Sequence, residues 1–119
     1  MAEPVYKVLR AEEFAEASRR ALFEGSADDL RDGFIHLSTG EQLEGTLRKH
    51  FAGEDGLVLL ALDAAQLGQQ LTWEPSRGGA LFPHLYAPLP LAAVLWVERL
   101  GLGDDGMHRL PAAFARVPV

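Results

Sequence analysis

Two histidines and their polar neighbours are the groups in this chain whose types and spacing could do chemistry. His36 and Ser38 lie two positions apart in the apolar segment 34–39. Residues i and i+2 of a strand point to the same face, so a strand here would direct both side chains into one space. Imidazole can donate and accept hydrogen bonds, and a serine at a helix N-terminus can help to bind phosphate. The pair therefore predicts one wall of a polar site.

The pair has two other interpretations. A nucleophilic Ser38 is disfavoured because the segment lacks a Gly-x-Ser-x-Gly turn, and a histidine on the same strand face is badly placed to act as its base. The structural alternative has His36 bonding a backbone carbonyl while Ser38 caps the following helix. Both a ligand-facing and a structural His36 stay open at this point.

A second polar cluster lies in residues 73–86. Trp73 offers a stacking surface and Glu74 a carboxylate, and Arg77 stands next to two glycines. An arginine beside exposed backbone amides could bind phosphate or carboxylate. We expect His84 and Tyr86 to face a cleft. The alternative is an ordinary surface loop in which Arg77 pairs with Glu74.

Metal binding would require three or four converging ligands. His36, His84 and Glu74 could supply three, but the chain has no closely spaced pair such as His-x-x-x-His. No metal is therefore expected. His50 and His108 are predicted to be solvated surface residues.

The composition indicates a soluble globular domain. The 119 residues are 48% hydrophobic and 24% charged, with no cysteine. No apolar run approaches the roughly 20 residues that a membrane helix needs, and no secretion signal is visible at the start. The absence of cysteine excludes thiolate chemistry and favours a cytoplasmic location. The net charge of −6 disfavours non-specific binding to nucleic acid or to anionic membranes. It does not exclude a local basic pocket, and a small-molecule or nucleotide ligand is a partner compatible with it.

The residue patterns predict an α+β fold in a single domain, residues 1–119, with a core at about 4–100 and a tail at about 101–119. Strands are predicted at 5–9, 34–37, 57–62, 71–74 and 93–97, and helices at 11–22 and 41–51. The apolar run 57–62 is typical of a strand that is buried on both faces. Either Thr39 with Gln42 or Ser38 with Glu41 would form a capping box for the second helix.

These elements favour small mixed or antiparallel sheets with two main helices in the N-terminal half. The segment 75–90 is rich in proline and glycine and has no clear periodicity, so it is predicted to be a loop. Loops of that length inside a small domain are often functional.

Four segments together resemble a small bacterial family of unknown function. They are residues 32–38, 57–63, 73–75 and 81–90, and the resemblance extends from about Val5 to Val97. Some members of that family carry a label linking them to glutathione transferases. This chain lacks the thioredoxin-like half and the helical domain that such transferases need.

The family in turn is distantly similar to the ADP-ribosyltransferase fold, with the NAD-using RNA 2′-phosphotransferases as the nearest functional analogue. Those enzymes have a strand reading His-Leu-Ser or His-Leu-Ala, then a helix, then an apolar strand that ends in Asp. The similar segments here are, in the same order, residues 35–38, 41–51 and 57–63. The phosphotransferases have an Arg-His pair on an early strand, for which this chain offers only Arg10. They also have an arginine just before the histidine strand, and Arg31 lies near that place but not in register with it. The resemblance implies an ADP-ribosyltransferase-like fold.

Two classes of function follow from these observations. The first is a compact enzyme that binds or processes NAD or a related nucleotide, as a transferase of the ADP-ribosyl or phosphoryl type. NAD is then the candidate cofactor. The catalytic candidates are His36, Glu74 and His84, and the ligand-binding candidates are Arg10, Ser38, Trp73, Arg77 and Tyr86. The second class is a non-catalytic binding or interaction module with a degenerate site.

The two classes predict different geometries. Convergence of Arg10, His36, Glu74 and His84 in one pocket would favour the enzyme, whereas scattered positions would favour the binding module. If His36 faces the ligand, replacing it with alanine should abolish binding and change the stability only modestly.

Overall fold

The computed structural model describes residues 3–110 and has the α+β composition that the sequence predicts. Its helices are α1 (Ala11–Arg20), α2 (Ala27–Asp32), α3 (Gly40–His50) and α4 (Ala64–Leu67). Its strands are β1 (Val5–Arg10), β2 (Leu22–Phe23), β3 (Ile35–His36), β4 (Leu57–Leu62), β5 (Leu71–Pro75), β6 (Leu81–Leu85), β7 (Leu89–Pro90), β8 (Val94–Leu102) and β9 (His108–Arg109). Within this range, no helix has both the length and the apolar character needed to cross a membrane.

The strands of residues 3–110 form three sheets, and every strand pair among them is antiparallel. The orders are β1-β4-β8-β9, β3-β6-β5 and β2-β7. Tyr6 and Ser38 join the first two sheets through reciprocal backbone hydrogen bonds of 2.8 and 3.0 Å. This link holds β3 and the start of α3 against β1.

Strand β4 divides the hydrophobic core into two clusters. Its residues alternate between the faces of the sheet, so that one set packs in each cluster. The first set is Val58, Leu60 and Leu62, and the second is Leu57, Leu59 and Ala61. All six are buried, which confirms the prediction that both faces of this strand are covered.

Helix α3 covers the second cluster and begins with the predicted capping box. The Thr39 hydroxyl accepts a hydrogen bond from the Gln42 amide, and the Gln42 side chain accepts one from the Thr39 amide. Leu43 and Leu47 then point into the core. The helix ends at His50 with Phe51 as its C-cap, within one residue of the predicted end.

Two segments differ from the prediction. Residues 27–32, which belong to none of the predicted elements, form α2, whose N-cap is Ser26 and whose capping box has Asp29 as the reciprocal partner. Residues 75–90, expected to be a loop, contain β6 and β7. Residues 82–85 of β6 are all buried, so the strand lacks the polar alternation that sequence patterns detect. Pro83, which has no amide hydrogen, still contributes its carbonyl as acceptor from Leu37.

The remaining differences concern element ends. Helix α1 stops at Arg20 because Ala21 adopts a left-handed conformation with φ of 58°, and β2 follows. Strand β8 continues to Leu102, so the predicted tail begins inside a strand. Residues 111–119 of that tail lie outside the described range.

Candidate functional site

A cleft of about 310 Å³ lies between α2, β3, α3 and β6, and His36, Ser38, Arg77 and His84 all line it. The register of β3 and β6 places His36 directly opposite His84, with their ring centroids 5.8 Å apart. His36 and Ser38 therefore open into the same space, as their spacing predicts.

The wall around His36 is organised by a buried carboxylate. Asp29 is 2% exposed, and its Oδ1 accepts hydrogen bonds from His36 Nδ1 at 2.7 Å and from the His36 amide at 3.0 Å. Lys7, also buried, lies 3.0 Å from the other carboxylate oxygen and donates to the His36 carbonyl at 3.0 Å. These contacts tie β1, α2 and β3 together.

The second nitrogen of the His36 ring is also occupied. Nε2 donates to Asp32 at 2.8 Å, and Arg31 pairs with the same carboxylate at 2.9 Å. Each ring nitrogen therefore lies against a carboxylate oxygen, which can only accept a hydrogen bond. We call Lys7, Asp29, Asp32 and His36 the Asp29 cluster. Its geometry fixes the imidazole as a rigid wall and leaves neither nitrogen free.

The partners of the two carboxylates in the Asp29 cluster stabilise their charged forms. Burial alone would raise the pKa of Asp29, but the hydrogen bond from His36 and the positive charge of Lys7 outweigh it, and the pKa lies well below its usual range. Hydrogen bonding from Arg31 lowers the pKa of Asp32 as well. Both groups are therefore carboxylates at neutral pH.

The opposite wall contains His84, which is 5% exposed. Its Nδ1 donates to Glu74 Oε1 at 2.8 Å, and the Tyr86 hydroxyl donates to the same oxygen at 2.6 Å. The hydrogen bond from Tyr86 and that from His84 lower the pKa of Glu74, whereas the bond to Glu74 raises the pKa of Tyr86. Phe34 stacks on the His84 ring with centroids 4.0 Å apart.

We call Phe34, Glu74, His84 and Tyr86 the His84 cluster. Within the described part of the chain, His84 Nε2 has no hydrogen-bond partner. No unpartnered nitrogen there is sealed from solvent, and the ring lines the cleft. The free nitrogen of His84 therefore opens into the cleft.

A third group of side chains lies between the two histidines and α3. Ser38, which is 4% exposed, shares a hydrogen bond of 2.8 Å with the Thr46 hydroxyl. The Arg77 guanidinium donates to the same hydroxyl at 3.5 Å and lies 4.9 Å from the centroid of Phe82. A Cβ at Gly45 would stand 3.1 Å from Arg77 Nη2, so the glycine gives this arginine room against the helix.

Two further basic residues at the end of α3, Lys49 and His50, line the cleft beside Arg77. Burial, together with the charges of Arg77 and Lys49, lowers the pKa of His50. Neither Arg77 nor Lys49 has a carboxylate partner within residues 3–110. His50 is exposed, as predicted, but it also lines the cleft. We call Lys49, His50 and Arg77 the positive wall of the cleft.

Other predicted residues lie outside the cleft. Arg10 forms a bidentate pair with Glu54 at 2.9 and 3.0 Å and lies over the Phe51 ring. Trp73 and Tyr86 are exposed and are not among the residues that line it. Convergence of four residues was expected to favour an enzyme. His36 and His84 line the cleft, Glu74 contacts His84 without lining it, and Arg10 lies outside it.

His108 also differs from its prediction as a solvated residue. It is half-buried, and its Nε2 donates to the Glu54 carbonyl at 2.7 Å. The described residues contain no group of three His, Asp or Glu side chains that could hold a metal ion.

Several residues of the site were missed by the sequence reasoning. They are Lys7, Asp29, Asp32, Phe34, Thr46 and Lys49. A signal existed for Asp29, because it stands three residues after Ser26 in a capping-box spacing. A lysine in the apolar segment 5–9 could also have indicated a buried ion pair. No local pattern reveals Thr46 or Lys49, because they meet the site only through the packing of α3.

Comparison with known proteins supports the fold and gives a family. No curated protein matches the chain. A crystal structure of protein CC0527 from Caulobacter crescentus is 50% identical over 95% of this chain and 99% of its own, with a TM-score of 0.90. The solution NMR structure of CC0527 is 52% identical over 87% and 90%, with a TM-score of 0.79.

The family predicted from the sequence is confirmed at the level of a domain of unknown function. Residues 8–97 match one family model. The matched range includes the whole His84 cluster and all of the Asp29 cluster except Lys7. The chain therefore belongs to the family described as protein of unknown function, DUF952.

Proposed function

We propose that this protein binds NAD or a related nucleotide in the cleft. The observation that carries the proposal is the position of Arg77 beside the Ser38–Thr46 hydroxyl pair. Guanidinium groups bind phosphate oxygens, and hydroxyl groups hydrogen-bond to ribose. This combination matches the two recurring parts of a nucleotide backbone.

The charge distribution supports an anionic ligand. The chain has a net charge of −6, yet Arg77 and Lys49 face the cleft with no carboxylate partner in residues 3–110. Three aspartates, Asp28, Asp29 and Asp32, line the α2 side of the same cleft, but each is paired with Lys7, Arg31 or His36. The unpaired positive charges therefore lie on the α3 side, where they attract ligands of the opposite sign. The pKa of His50 beside them is lowered first by burial and then by the charges of Arg77 and Lys49.

The size of the cleft limits how much of a dinucleotide it encloses. A volume of about 310 Å³ is at the lower end of the range of about 300–1,000 Å³ that ligand pockets span. We infer that the cleft encloses one nucleotide half and that the other half of NAD would remain outside it. Trp73 and Tyr86, both exposed, would be available only to that outer half.

The order of elements supports a link to the ADP-ribosyltransferase fold. The strand–helix–strand order expected from the RNA 2′-phosphotransferase resemblance corresponds to β3, α3 and β4. The placement of Arg10 against Glu54 favours a second candidate function, a non-catalytic nucleotide-binding module, because a phosphate-binding arginine of the enzyme class would be engaged elsewhere.

A thermal-shift screen tests the binding proposal. The ligands are NAD, ADP-ribose, AMP, inorganic phosphate and glutathione. A ligand at 100 times its Kd stabilises the folded state by about 2.7 kcal/mol, which a melting curve detects. We expect shifts with NAD, ADP-ribose or AMP and none with glutathione.

Two arginine variants control the screen. Arg77→Ala should remove the nucleotide shift, whereas Arg99→Ala should keep it, since Arg99 is exposed on β8 and outside the cleft. An absence of any shift with the nucleotides, or an equal shift in both variants, contradicts the proposal.

A further inference from the structure

His84 combines deep burial with one free ring nitrogen. It is 5% exposed, Glu74 holds Nδ1 at 2.8 Å, and Nε2 has no partner within residues 3–110. Because a carboxylate only accepts hydrogen bonds, Nδ1 carries the hydrogen and the neutral ring has its lone pair on Nε2. That lone pair opens into the cleft.

A structural role accounts for Nδ1 of His84 but assigns no protein partner to Nε2. In this sheet, a histidine that serves the fold has protein partners on both nitrogens. His36, on the facing strand, shows such an arrangement, with Asp29 and Asp32 on its two nitrogens. His84 differs because Phe34 stacks on its ring and Glu74 fixes its tautomer, while the second nitrogen faces open space.

We propose that His84 is the proton-accepting base of the cleft and that Glu74 is its positioning residue. His84 Nε2 accepts the proton of a hydroxyl group on the bound ligand, or of a water molecule beside it. The O–H bond breaks, the N–H bond forms, and the electron pair stays on the oxygen, which becomes the nucleophile. The imidazolium keeps its hydrogen bond to the Glu74 carboxylate. The identity of the ligand, a ribose-containing nucleotide, rests on the proposed function, whereas the reactivity of Nε2 does not.

Tyr86 restrains the positioning residue. Its hydroxyl donates to the same Glu74 oxygen that accepts from His84 Nδ1, so the carboxylate is held from two sides. The two hydrogen bonds to one oxygen fix the orientation of the acceptor that sets the tautomer of His84. Neither Tyr86 nor Glu74 lines the cleft.

Alkylation with iodoacetate tests the reactivity of Nε2 without any ligand. The neutral imidazole nitrogen displaces iodide and becomes carboxymethylated, and no cysteine competes for the reagent. Peptide mass mapping then compares the histidines. We expect His84 to react about tenfold faster than His36, because a nitrogen of His36 must first give up a charge-assisted hydrogen bond.

Variants of Glu74 separate positioning from packing. Glu74→Gln keeps the size of the side chain but removes its charge, so we expect the labelling rate of His84 to fall severalfold. Glu98→Gln, at an exposed position of β8 outside the cleft, should leave the rate unchanged. A change in melting temperature with no change in the labelling rate would overturn the positioning role of Glu74.

Protection by ADP-ribose connects this inference with the proposed function. Preferential labelling of His84 that ADP-ribose suppresses supports both. Preferential labelling that no nucleotide suppresses supports a reactive His84 and overturns the nucleotide ligand. Labelling of His84 no faster than that of His36 overturns the base. Imidazole NMR gives an independent check, since a neutral His84 with its hydrogen on Nε2 would contradict the assigned tautomer.

Discussion

The two histidines that face each other across β3 and β6 have opposite surroundings. His36 gives both ring nitrogens to carboxylates, whereas His84 gives one nitrogen to Glu74 and leaves the other open to the cleft. The same side chain, at paired positions of one sheet, therefore serves as a fixed wall in one case and as a candidate base in the other. The difference lies in the number of acidic partners that the neighbouring elements supply.

Exposure does not reveal this difference. The His36 side chain is 37% exposed but both of its nitrogens are engaged, while the His84 side chain is 6% exposed and has a free nitrogen. The hydrogen-bond partners of each nitrogen are therefore a better guide to chemistry than the accessible surface of the ring.

The largest effect is expected from Asp29→Ala. This change leaves Lys7 buried without its carboxylate and removes the acceptor of His36 Nδ1. Breaking a buried ion pair by removing one partner costs about 3–5 kcal/mol, and urea unfolding measures the loss. The matched control is Asp28→Ala, which removes an exposed partner of Arg31 and should cost under about 1 kcal/mol. Equal losses in the two variants would show that the Asp29 cluster does not hold the fold.

The Asp29 cluster also predicts the response to acid. The pKa of Asp29 is lower in the folded state than its unfolded value of about 3.9. Its contribution to the free energy of unfolding is therefore fully present above the unfolded pKa and is lost as the pH falls towards the folded pKa. We expect the free energy of unfolding to fall below about pH 5.

The Asn variant tests whether this carboxylate causes the loss. Asp29→Asn should be less stable at neutral pH and should show a shallower decline in acid, as measured by urea unfolding between neutral and acid pH. The pKa of Glu74 is lowered in the same direction, but its site is exposed and its contribution is correspondingly smaller. An unchanged decline in Asp29→Asn would assign the acid sensitivity to other carboxylates.

His36→Ala is expected to cost about 1–3 kcal/mol, because Asp29 and Asp32 each lose a charge-assisted partner and Asp29 is buried. The sequence alone suggests the reverse, a modest change in stability with loss of binding. Unfolding curves and the ADP-ribose thermal shift of the same variant decide between these expectations. If the variant keeps the parent's stability but loses the thermal shift with ADP-ribose, His36 faces the ligand.

The elements that sequence patterns predicted are those whose signal is local. The apolar run of β4 spans the observed strand, residues 57–62, because burial on both faces leaves no polar position in it. Thr39 and Gln42 specify the start of α3 through a contact three residues apart. Family membership was also accessible, since the matched range 8–97 contains the segments quoted for the resemblance.

The elements that patterns missed depend on tertiary contacts. Helix α2 has six residues, too short for periodicity, and Asp29 is held by Lys7 and His36 from distant strands. Strand β6 contains Pro83 and is buried at four of its five positions, so it resembles a loop in the sequence. The site shows the same division between local and tertiary signals. Residue type was enough to predict His36, Ser38, Arg77 and His84 as site residues. Their hydrogen-bond partners could not be predicted, because they depend on the register of β3 with β6 and on the packing of the helices.

The smallest effect is expected from Gly45→Ala, which tests the positive wall of the cleft. Alanine in a helix interior is favoured over glycine by up to about 1 kcal/mol, so the variant should be as stable as the parent or slightly more stable. Its new Cβ would stand 3.1 Å from Arg77 Nη2, and the flexible end of the arginine would move away. We therefore expect weaker binding of AMP together with unimpaired stability, measured by calorimetry and urea unfolding.

The control is the same change without the arginine. In the Arg77→Ala background, Gly45→Ala should leave the weak residual AMP affinity unchanged, because the group that it displaces is gone. A double-mutant cycle measures this coupling directly, and additive losses would mean that the glycine acts on the ligand and not through Arg77. If alanine at position 45 improves stability but weakens AMP binding, the role of Gly45 is to leave space for Arg77. The packing of α3 would then set the position of Arg77 in the cleft that His84 lines.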